Sequence, residues 1–321
     1  RRPPRSTLFP YTTPSDLAGA KEAAAQQHYP ASTLFMVATP IGNLADISLR
    51  ALCALDLVDA VACEDTRHTQ HMLAAYGIKK PLIALHQHNE AQASQGVLQR
   101  LQQGQRIAYV SDAGTPGVSD PGAKLAAAVQ NAGLRVMPLP GASSVTTLVS
   151  AMGLTDGAEQ FATQGFLFAG FLPNKGAARA QALQELRDSS RAVVLLEAPH
   201  RLAQLAKELN AWGERRLSAG RELTKQFESI STHACQDFEA WLQADANRLR
   251  GEYVLAIHPL PHKAASEDDE SLPPSVLSTL QTLLEVLPVK TASQVGATLT
   301  GVSKNKLYAA ALALQSKDTS D

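Results

Sequence analysis

The sequence has few cysteines, few aromatic residues, almost no net charge and no long apolar run. Three cysteines, Cys53, Cys63 and Cys235, lie too far apart for a CxxC pair or a metal-type cluster. This sparse, odd set predicts reduced thiols in a cytoplasmic protein rather than a disulfide framework. Every apolar run falls well short of the ~18 residues of a membrane span, so no contact with a membrane is expected.

The charge balance excludes one further class of protein. The chain carries 29 Lys and Arg against 30 Asp and Glu, which excludes a uniformly basic coat for nucleic acid but leaves room for a local basic site. With 45% hydrophobic and 18% charged residues, the composition is typical of a globular protein with a buried core. The length of 321 residues favours two domains.

Composition changes at both ends of the chain. Residues 1–32 have no sustained apolar period, which predicts a disordered extension. An acidic run at 267–270 between prolines predicts a solvated linker over 261–274.

The last part of the chain predicts a small helical module over 275–316. Its apolar residues recur at helical spacing, and two short helices flank a turn at Gly301, as in a helix–turn–helix. Three lysines against one glutamate make it weakly basic. A packing or dimerising bundle and a nucleic-acid contact both fit this pattern.

Strand and helix patterns alternate in the central region, which predicts an α/β fold with two α/β domains, 33–157 and 158–260. In the first domain the segments that read as strands are each followed by a helical pattern, which predicts a mostly parallel sheet; they are 33–38, 60–63, 106–110 and 134–139. Few helices intervene after residue 213, so part of the second sheet should be antiparallel.

Unusual residues follow every predicted strand of the first domain, in the sequences TPIG, CEDTR, SDAGTPG and PLPGASS. Because ligands bind beyond the carboxyl ends of the strands in such sheets, these segments predict a binding site at one edge. Gly114, Gly117 and Gly122 would let a ligand approach the main chain. Tight turns without a ligand would explain the same glycines.

Other binding motifs are missing. The sequence has no GxGxxG after the first strand, no GxxxxGK[ST] phosphate loop and no GxSxG elbow. His68 and His71 could meet on one helix face, and His86 and His88 on one strand face. No carboxylate lies at ligand spacing from either pair, so no metal site is expected.

The strand-end segments resemble one known family. VATPIGNLADISLRAL, ACEDTRHT, YVSDAGTPGVSDPG, PLPGASS, EAPHR, GREL and GEYV occur in order over 34–258, as in the RsmI family. Members of this family are 16S ribosomal RNA cytidine 2′-O-ribose methyltransferases with the tetrapyrrole methylase fold. The resemblance implies a homodimer that binds S-adenosylmethionine between two α/β domains, needs no metal, and acts on the decoding region of the small ribosomal subunit.

The resemblance also implies a methyl-donor site at matching positions: Pro40, Ile41, Gly114, Thr115, Val118, Ser144 and Val145. Related tetrapyrrole methylases commonly carry an acidic GDP in the glycine-rich loop, where this chain has Gly-Thr-Pro. This departure favours an RNA substrate over a porphyrin.

Catalysis would need a group that removes the proton of a ribose hydroxyl. Five strand-end acids are candidates, with Glu64 and Asp65 preferred over Asp112, Glu197 and Glu222. Each could instead cap a helix or pair with an arginine. RNA phosphates would be bound by cations in or beside the family motifs: Arg67, Lys175, Arg201, Arg221 and Lys225. Ion pairs with nearby acids would explain each of these cations equally well.

Two other functions fit parts of the sequence. A tetrapyrrole-like small molecule could be the methyl acceptor of the same fold. Alternatively, the 275–316 helices could bind nucleic acid while the α/β part senses a ligand.

Overall fold

A computed structural model describes residues 14–24, 26–86, 89–154, 164–260, 272 and 274–318. The chain divides after residue 261 into two compact units. The first contains two five-stranded sheets, and the second contains three helices.

The first sheet is entirely parallel, as the alternation of strands and helices predicts. Its strands pair in the order β3-β2-β4-β1-β5, with bounds β1 Thr33–Val37, β2 Ala60–Cys63, β3 Leu82–Ala84, β4 Arg106–Val110 and β5 Arg135–Leu139. The helices are α2 Leu49–Leu57, α3 Thr66–Ala75, α4 Glu90–Gln102, α5 Gly122–Asn131 and α6 Ser144–Ala151, and α1 Pro14–Ala24 precedes them all. The sequence pattern missed β3, because three residues are too few to establish a period.

Helices cover both faces of this sheet. In β2, Val61 and Cys63 pack on the side of α2 and α3, whereas Ala60 and Ala62 pack on the side of α4 and α5. All four residues are buried. Burial on both faces explains why the strands read as continuous apolar runs rather than as alternating patterns.

The second sheet is mixed, as predicted. Its strands are β6 Phe166–Phe171, β7 Ala192–Glu197, β8 Arg216–Arg221, β9 Ser229–Ala234 and β10 Tyr253–Ile257, in the order β6-β7-β10-β8-β9. Only β6 and β7 pair in parallel, and the other pairs are antiparallel. The helices are α7 Gly176–Arg187, α8 Pro199–Asn210 and α9 Cys235–Gln243. Since β8 and β9 are joined by a loop without a helix, they can only pair antiparallel.

The predicted disordered extension over 1–32 is wrong for residues 14–24, which form α1. Ala20 and Ala24 are buried against the core that includes α2, and Lys21 forms an ion pair with Asp56. Small alanines give a weak apolar period, so this packed face escaped the sequence pattern. Residues 1–13 lie outside the described part of the chain.

The second unit is a three-helix module with α10 Pro274–Val286, α11 Val289–Thr300 and α12 Lys304–Asp318. Its core contains Leu280 and Leu307, and Gly301 ends α11 with a left-handed conformation. Helices were predicted here. The predicted boundary at 157/158 and most of the predicted linker over 261–274 lie outside the described residues.

No helix in the described ranges is long and apolar enough to cross a membrane.

The contact between α1 and the core can be tested with two charge substitutions. Ala20 is fully buried, whereas Ala18 on the same helix is exposed. We expect Ala20→Glu to reduce the free energy of unfolding by about 1–3 kcal/mol, because a carboxylate cannot be buried there without a partner. Ala18→Glu should leave it unchanged. Equal stability of the two variants in denaturant titrations would mean that α1 does not pack in solution.

The start of α5 can be tested in the same way. A Cβ atom at Gly122 would overlap the Tyr109 ring at Cε1 and lie 2.6 Å from Oδ1 of Asp120. Gly122→Ala should therefore cost about 1–3 kcal/mol of unfolding free energy through overpacking. The matched control is Gly96→Ala in α4, where nothing lies within 4 Å, and which should stabilise by about 0.5–1 kcal/mol. A stable Gly122→Ala variant would contradict this packing.

Candidate active site

The segments after β1 and β4 meet through main-chain hydrogen bonds at the carboxyl edge of the first sheet. The Thr39 N–H donates to the Gly114 carbonyl (3.0 Å), and the Gly114 N–H donates to the Thr39 carbonyl (3.1 Å). Gly114 has a φ of 81°, a conformation that favours glycine. The glycine in the SDAGTPG segment thus serves a specific backbone geometry.

Asp120 organises the glycine-rich loop, defined here as residues 111–122. Its Oδ2 accepts the Gly117 N–H (2.7 Å), and its Oδ1 accepts the Gly122 N–H (2.8 Å) and the Tyr109 hydroxyl (3.0 Å). Burial, followed by the charge of Asp120, raises the pKa of Tyr109, so the hydroxyl remains a donor. Sequence reasoning did not single out Asp120, although the Asp-Pro-Gly turn that contains it was a signal.

A smaller and a larger cavity adjoin at this edge, next to a third one of about 680 Å³ that is lined by segments after β4 and β5. The smaller, of about 150 Å³, is lined by main-chain and side-chain groups of the glycine-rich loop and of the start of α6. The larger, of about 500 Å³, touches the second sheet through residues such as Tyr253 and Val254, and Leu196 of that sheet lines both cavities. They share Asp112, Ser119 and Ser144. The site therefore lies where the two sheets of the first unit face each other.

The residues expected to bind the methyl donor mostly line these cavities. The smaller cavity contacts Gly114, Thr115, Val118, Ser144 and Val145, and the larger one contacts Ile41 and Ser144. Pro40 is half-buried and lines neither of them. Their role stays a prediction, but the fold does bring six of the seven residues together.

The amino terminus of α6 adds main-chain donors to the smaller cavity. Ser143 is the N-cap residue and makes no capping hydrogen bond with its side chain. Ser143, Ser144 and Val145 all line the cavity. Because the first N–H groups of a helix lack partners within the helix, this end of α6 suits a carboxylate or another anion.

The two neighbouring acids after β2 have different environments. Glu64 lines the smaller cavity, and burial, followed by the charges of Asp112 and Asp120, raises its pKa to about 7. Asp65 caps α3, because its Oδ1 accepts the N–H groups of Arg67 (2.8 Å) and His68 (3.2 Å). The bond to the His68 N–H and then the bond to the Arg67 N–H lower the pKa of Asp65. Glu64 can exchange a proton near neutral pH, whereas Asp65 serves the helix.

The other acidic candidates have partners of their own. The side chain of Glu197 is fully buried, 2.9 Å from Nε of Arg201 and 3.5 Å from Nη2 of Arg179. Oε1 of Glu222 accepts both Nζ of Lys225 (3.0 Å) and the Glu252 N–H (2.8 Å). These contacts are structural. Asp112 lines both cavities, and its Oδ1 accepts the Asp65 N–H at 3.2 Å.

The cations expected to bind RNA divide into exposed and internally bonded groups. The Arg67 side chain is 90% exposed, and Lys175 at the start of α7 is also exposed. The Arg201 guanidinium is mostly buried and donates to the Leu172 carbonyl (2.6 Å) and to Oδ1 of Asn174 (2.5 Å). These internal partners favour a structural role, and its contact with RNA stays a prediction.

Two further cations also have internal partners. Lys225 forms ion pairs with Glu222 and Glu252, both at 3.0 Å, as expected if it pairs with nearby acids, and its contact with RNA stays a prediction. Nε of Arg221 donates to the Arg250 carbonyl at 2.8 Å, and an RNA contact of its remaining nitrogens stays a prediction. Among the residues that the structure describes, no group of three or more His, Cys, Asp or Glu side chains could hold a metal ion.

Solved structures share the architecture of the α/β region. A diphthine synthase superposes with a TM-score of 0.55 at 15% sequence identity, covering 72% of this chain and 91% of that one. The cobalt precorrin-4 methyltransferase CbiF superposes with a TM-score of 0.52 at 14% identity, covering 71% and 95%. At these identities the likeness concerns the fold alone.

Relatives found by sequence are more similar to this chain than these structures are. The model of the Tetrapyrrole (Corrin/Porphyrin) Methylases matches residues 33–237, and that of the RsmI C-terminal HTH domain matches 270–315. Ribosomal RNA small subunit methyltransferase I of Escherichia coli O157:H7 is 44% identical over 88% of this chain and 95% of its own length. The Pseudomonas aeruginosa protein of the same name is 43% identical over 89% and 99%. The resemblance seen in the strand ends is thereby confirmed: this chain belongs to the RsmI family of the tetrapyrrole methylases.

Proposed function

We propose that this protein transfers a methyl group from S-adenosylmethionine to the 2′-hydroxyl of a cytidine ribose in the decoding region of 16S ribosomal RNA. The observation that carries the proposal is the pair of adjoining cavities with Glu64 in the wall of the smaller one. Its relatives are named ribosomal RNA small subunit methyltransferase I, which supports an RNA acceptor. The homodimer and the cytoplasmic location belong to the same proposal.

The residues around the smaller cavity suit the methyl donor. S-Adenosylmethionine supplies an electrophilic methyl group on a sulfonium. The bridge between Thr39 and Gly114 brings main-chain groups to the cavity wall without bulky side chains. Val118 and Val145 offer apolar surface, while the start of α6 offers N–H donors for a carboxylate. Thr115 holds this wall in place through its hydroxyl, which donates to the Ala142 carbonyl at 3.1 Å.

Glu64 has the properties of the general base. The ribose oxygen forms its bond to the methyl carbon as the carbon–sulfur bond breaks, and its proton passes to the Glu64 carboxylate. A base with a pKa near 7 is well matched to this task at neutral pH. Because the thioether is a good leaving group, most of the acceleration should come from holding the reacting atoms in line.

The acceptor can be identified directly. Small ribosomal subunits from a strain that lacks its own RsmI-family enzyme would be incubated with the protein and a labelled donor, in parallel with naked 16S RNA and with a tetrapyrrole. Label should enter RNA, and the phosphodiester linkage on the 3′ side of the labelled nucleotide should resist alkaline hydrolysis. Alkaline cleavage requires a free 2′-hydroxyl, which methylation removes. Label in the tetrapyrrole alone would contradict the proposal and favour a small-molecule acceptor.

The base can be tested by its pH dependence. Transfer by the wild-type protein should rise with pH and level off above about 7, because only the ionised Glu64 accepts a proton. Glu64→Gln should lower the single-turnover rate roughly 10²–10⁴-fold and abolish this rise. Asp65→Asn is the matched control, since asparagine is an equally good N-cap and should preserve both rate and profile. If Asp65→Asn loses the pH dependence and Glu64→Gln keeps it, Asp65 is the base and the assignment to Glu64 is wrong.

The exposed cations can be tested by the salt dependence of RNA binding. Arg67→Ala and Lys175→Ala should each weaken binding of small subunits and reduce the slope of log K against log salt concentration by about one. Lys79→Ala is the control, because Lys79 is exposed at the opposite edge of the first sheet, just before β3. A loss of affinity that does not change with salt would argue against phosphate contacts.

A further inference from the structure

An exposed aromatic residue lies on the loop between β8 and β9, defined here as residues 222–228. Phe227 is 69% exposed, a large value for a phenylalanine. The proposed methyl transfer does not use this side chain. A lone exposed apolar residue is common on protein surfaces, so its meaning depends on how the loop is held and on what lies beside it.

The loop is held in place by several hydrogen bonds. Glu222 and Thr224 have positive φ angles of 50° and 66°, which are costly for residues other than glycine. Nζ of Lys225 contacts both Glu222 and Glu252 at 3.0 Å, and the Thr224 N–H donates to Oε2 of Glu228 at 2.6 Å. These bonds offset the strain and fix the course of the chain up to Phe227.

The same loop reaches the site from the second sheet. Leu223 is buried and lines the larger cavity. A Cβ atom at Gly42, in the segment after β1, would lie 2.5 Å from Cγ of Lys225, so the loop closely approaches the first sheet as well. Phe227 follows Leu223 by four residues, which limits the distance between their Cα atoms to about 15 Å. The turn between Lys225 and Glu228 shortens this distance.

A second exposed aromatic residue lines the larger cavity itself. Phe171 at the end of β6 lines the larger cavity and is 55% exposed. An enclosed pocket for a small acceptor would have no use for an aromatic side chain in solvent beyond its wall. Single-stranded RNA, in contrast, is commonly bound by stacking of splayed bases on aromatic rings.

We propose that Phe227 is a substrate-binding residue that stacks on a nucleobase of the RNA beside the nucleotide being methylated. This inference rests on the proposed function. The loop that carries the ring also lines the larger cavity through Leu223, so a base stacked on Phe227 would help to hold the neighbouring ribose near Glu64. Such stacking is tolerant of base identity and adds to the phosphate contacts expected from Arg67 and Lys175.

Substitutions at Phe227 separate stacking from simple apolar contact. Phe227→Ala and Phe227→Leu should both weaken binding of small ribosomal subunits on the order of 5- to 100-fold, whereas Phe227→Trp should bind at least as well as the wild type. Binding of S-adenosylmethionine should be unchanged in all three variants. Leu57→Ala is the matched control, because Leu57 is 43% exposed at the end of α2, at the far edge of the first sheet.

Phe227→Trp also provides a direct signal. The two natural tryptophans, Trp212 and Trp241, pack against the core of the second sheet. The added tryptophan should therefore dominate the difference spectrum, and stacking on a base should quench its emission when small subunits are added. Absence of quenching in a variant that still binds would overturn the assignment.

The outcomes also distinguish this inference from the proposed function. If the wild-type protein neither binds nor methylates small subunits, both fail. If the wild-type protein does both and Phe227→Ala behaves identically, only the stacking role is wrong. Phe227→Ala could instead change the molecular mass measured in sedimentation, with Phe227→Leu keeping the wild-type mass. That result would place the ring in a contact with a second copy of the chain and overturn the assignment.

Discussion

The site depends on the main-chain bridge between Thr39 and Gly114. Parallel pairing of β1 and β4 brings the segments that follow them to one edge of the sheet, and the bridge then joins those segments to each other. Because main-chain atoms make this contact, it leaves the part of the cavity wall formed by Gly114 free of bulky side chains. Asp120 extends the same order through the glycine-rich loop to Tyr109 in the core. Hydrogen bonds to Asp120 therefore hold the glycine-rich loop in one conformation, although its glycines have no side chains to pack.

Burial and hydrogen bonding give different tasks to residues of the same type. Glu64 and Asp65 are adjacent, yet the pKa of the first is raised by burial and that of the second is lowered by two main-chain N–H groups. Glu197 is a strand-end acid like Glu64, but it lies between two arginines and supports the loop after β6 through Arg201. Of these three carboxylates, only Glu64 lines the smaller cavity, where burial raises its pKa to about 7.

The sequence predicted the architecture better than the short elements and the roles of individual side chains. The parallel first sheet, the mixed second sheet and the helical module follow from long apolar patterns, which depend on neighbouring residues alone. The pattern missed β3 because it is short, and it missed α1 because its buried face consists of alanines. Arg201 and Lys225 were expected to contact RNA, and their internal partners come from segments far away in sequence or folded back by a turn.

The sequence by itself determined the family, the alternation of strands and helices, and the edge of the sheet where the site lies. These properties are encoded in short motifs and periodicities, and the covalent chain carries them directly. The tertiary structure decided which carboxylate can titrate near pH 7, which cations remain exposed, and that Phe227 is exposed on a loop that lines the larger cavity through Leu223. Such properties depend on desolvation and on partners brought together by folding, and neither is written in the local sequence.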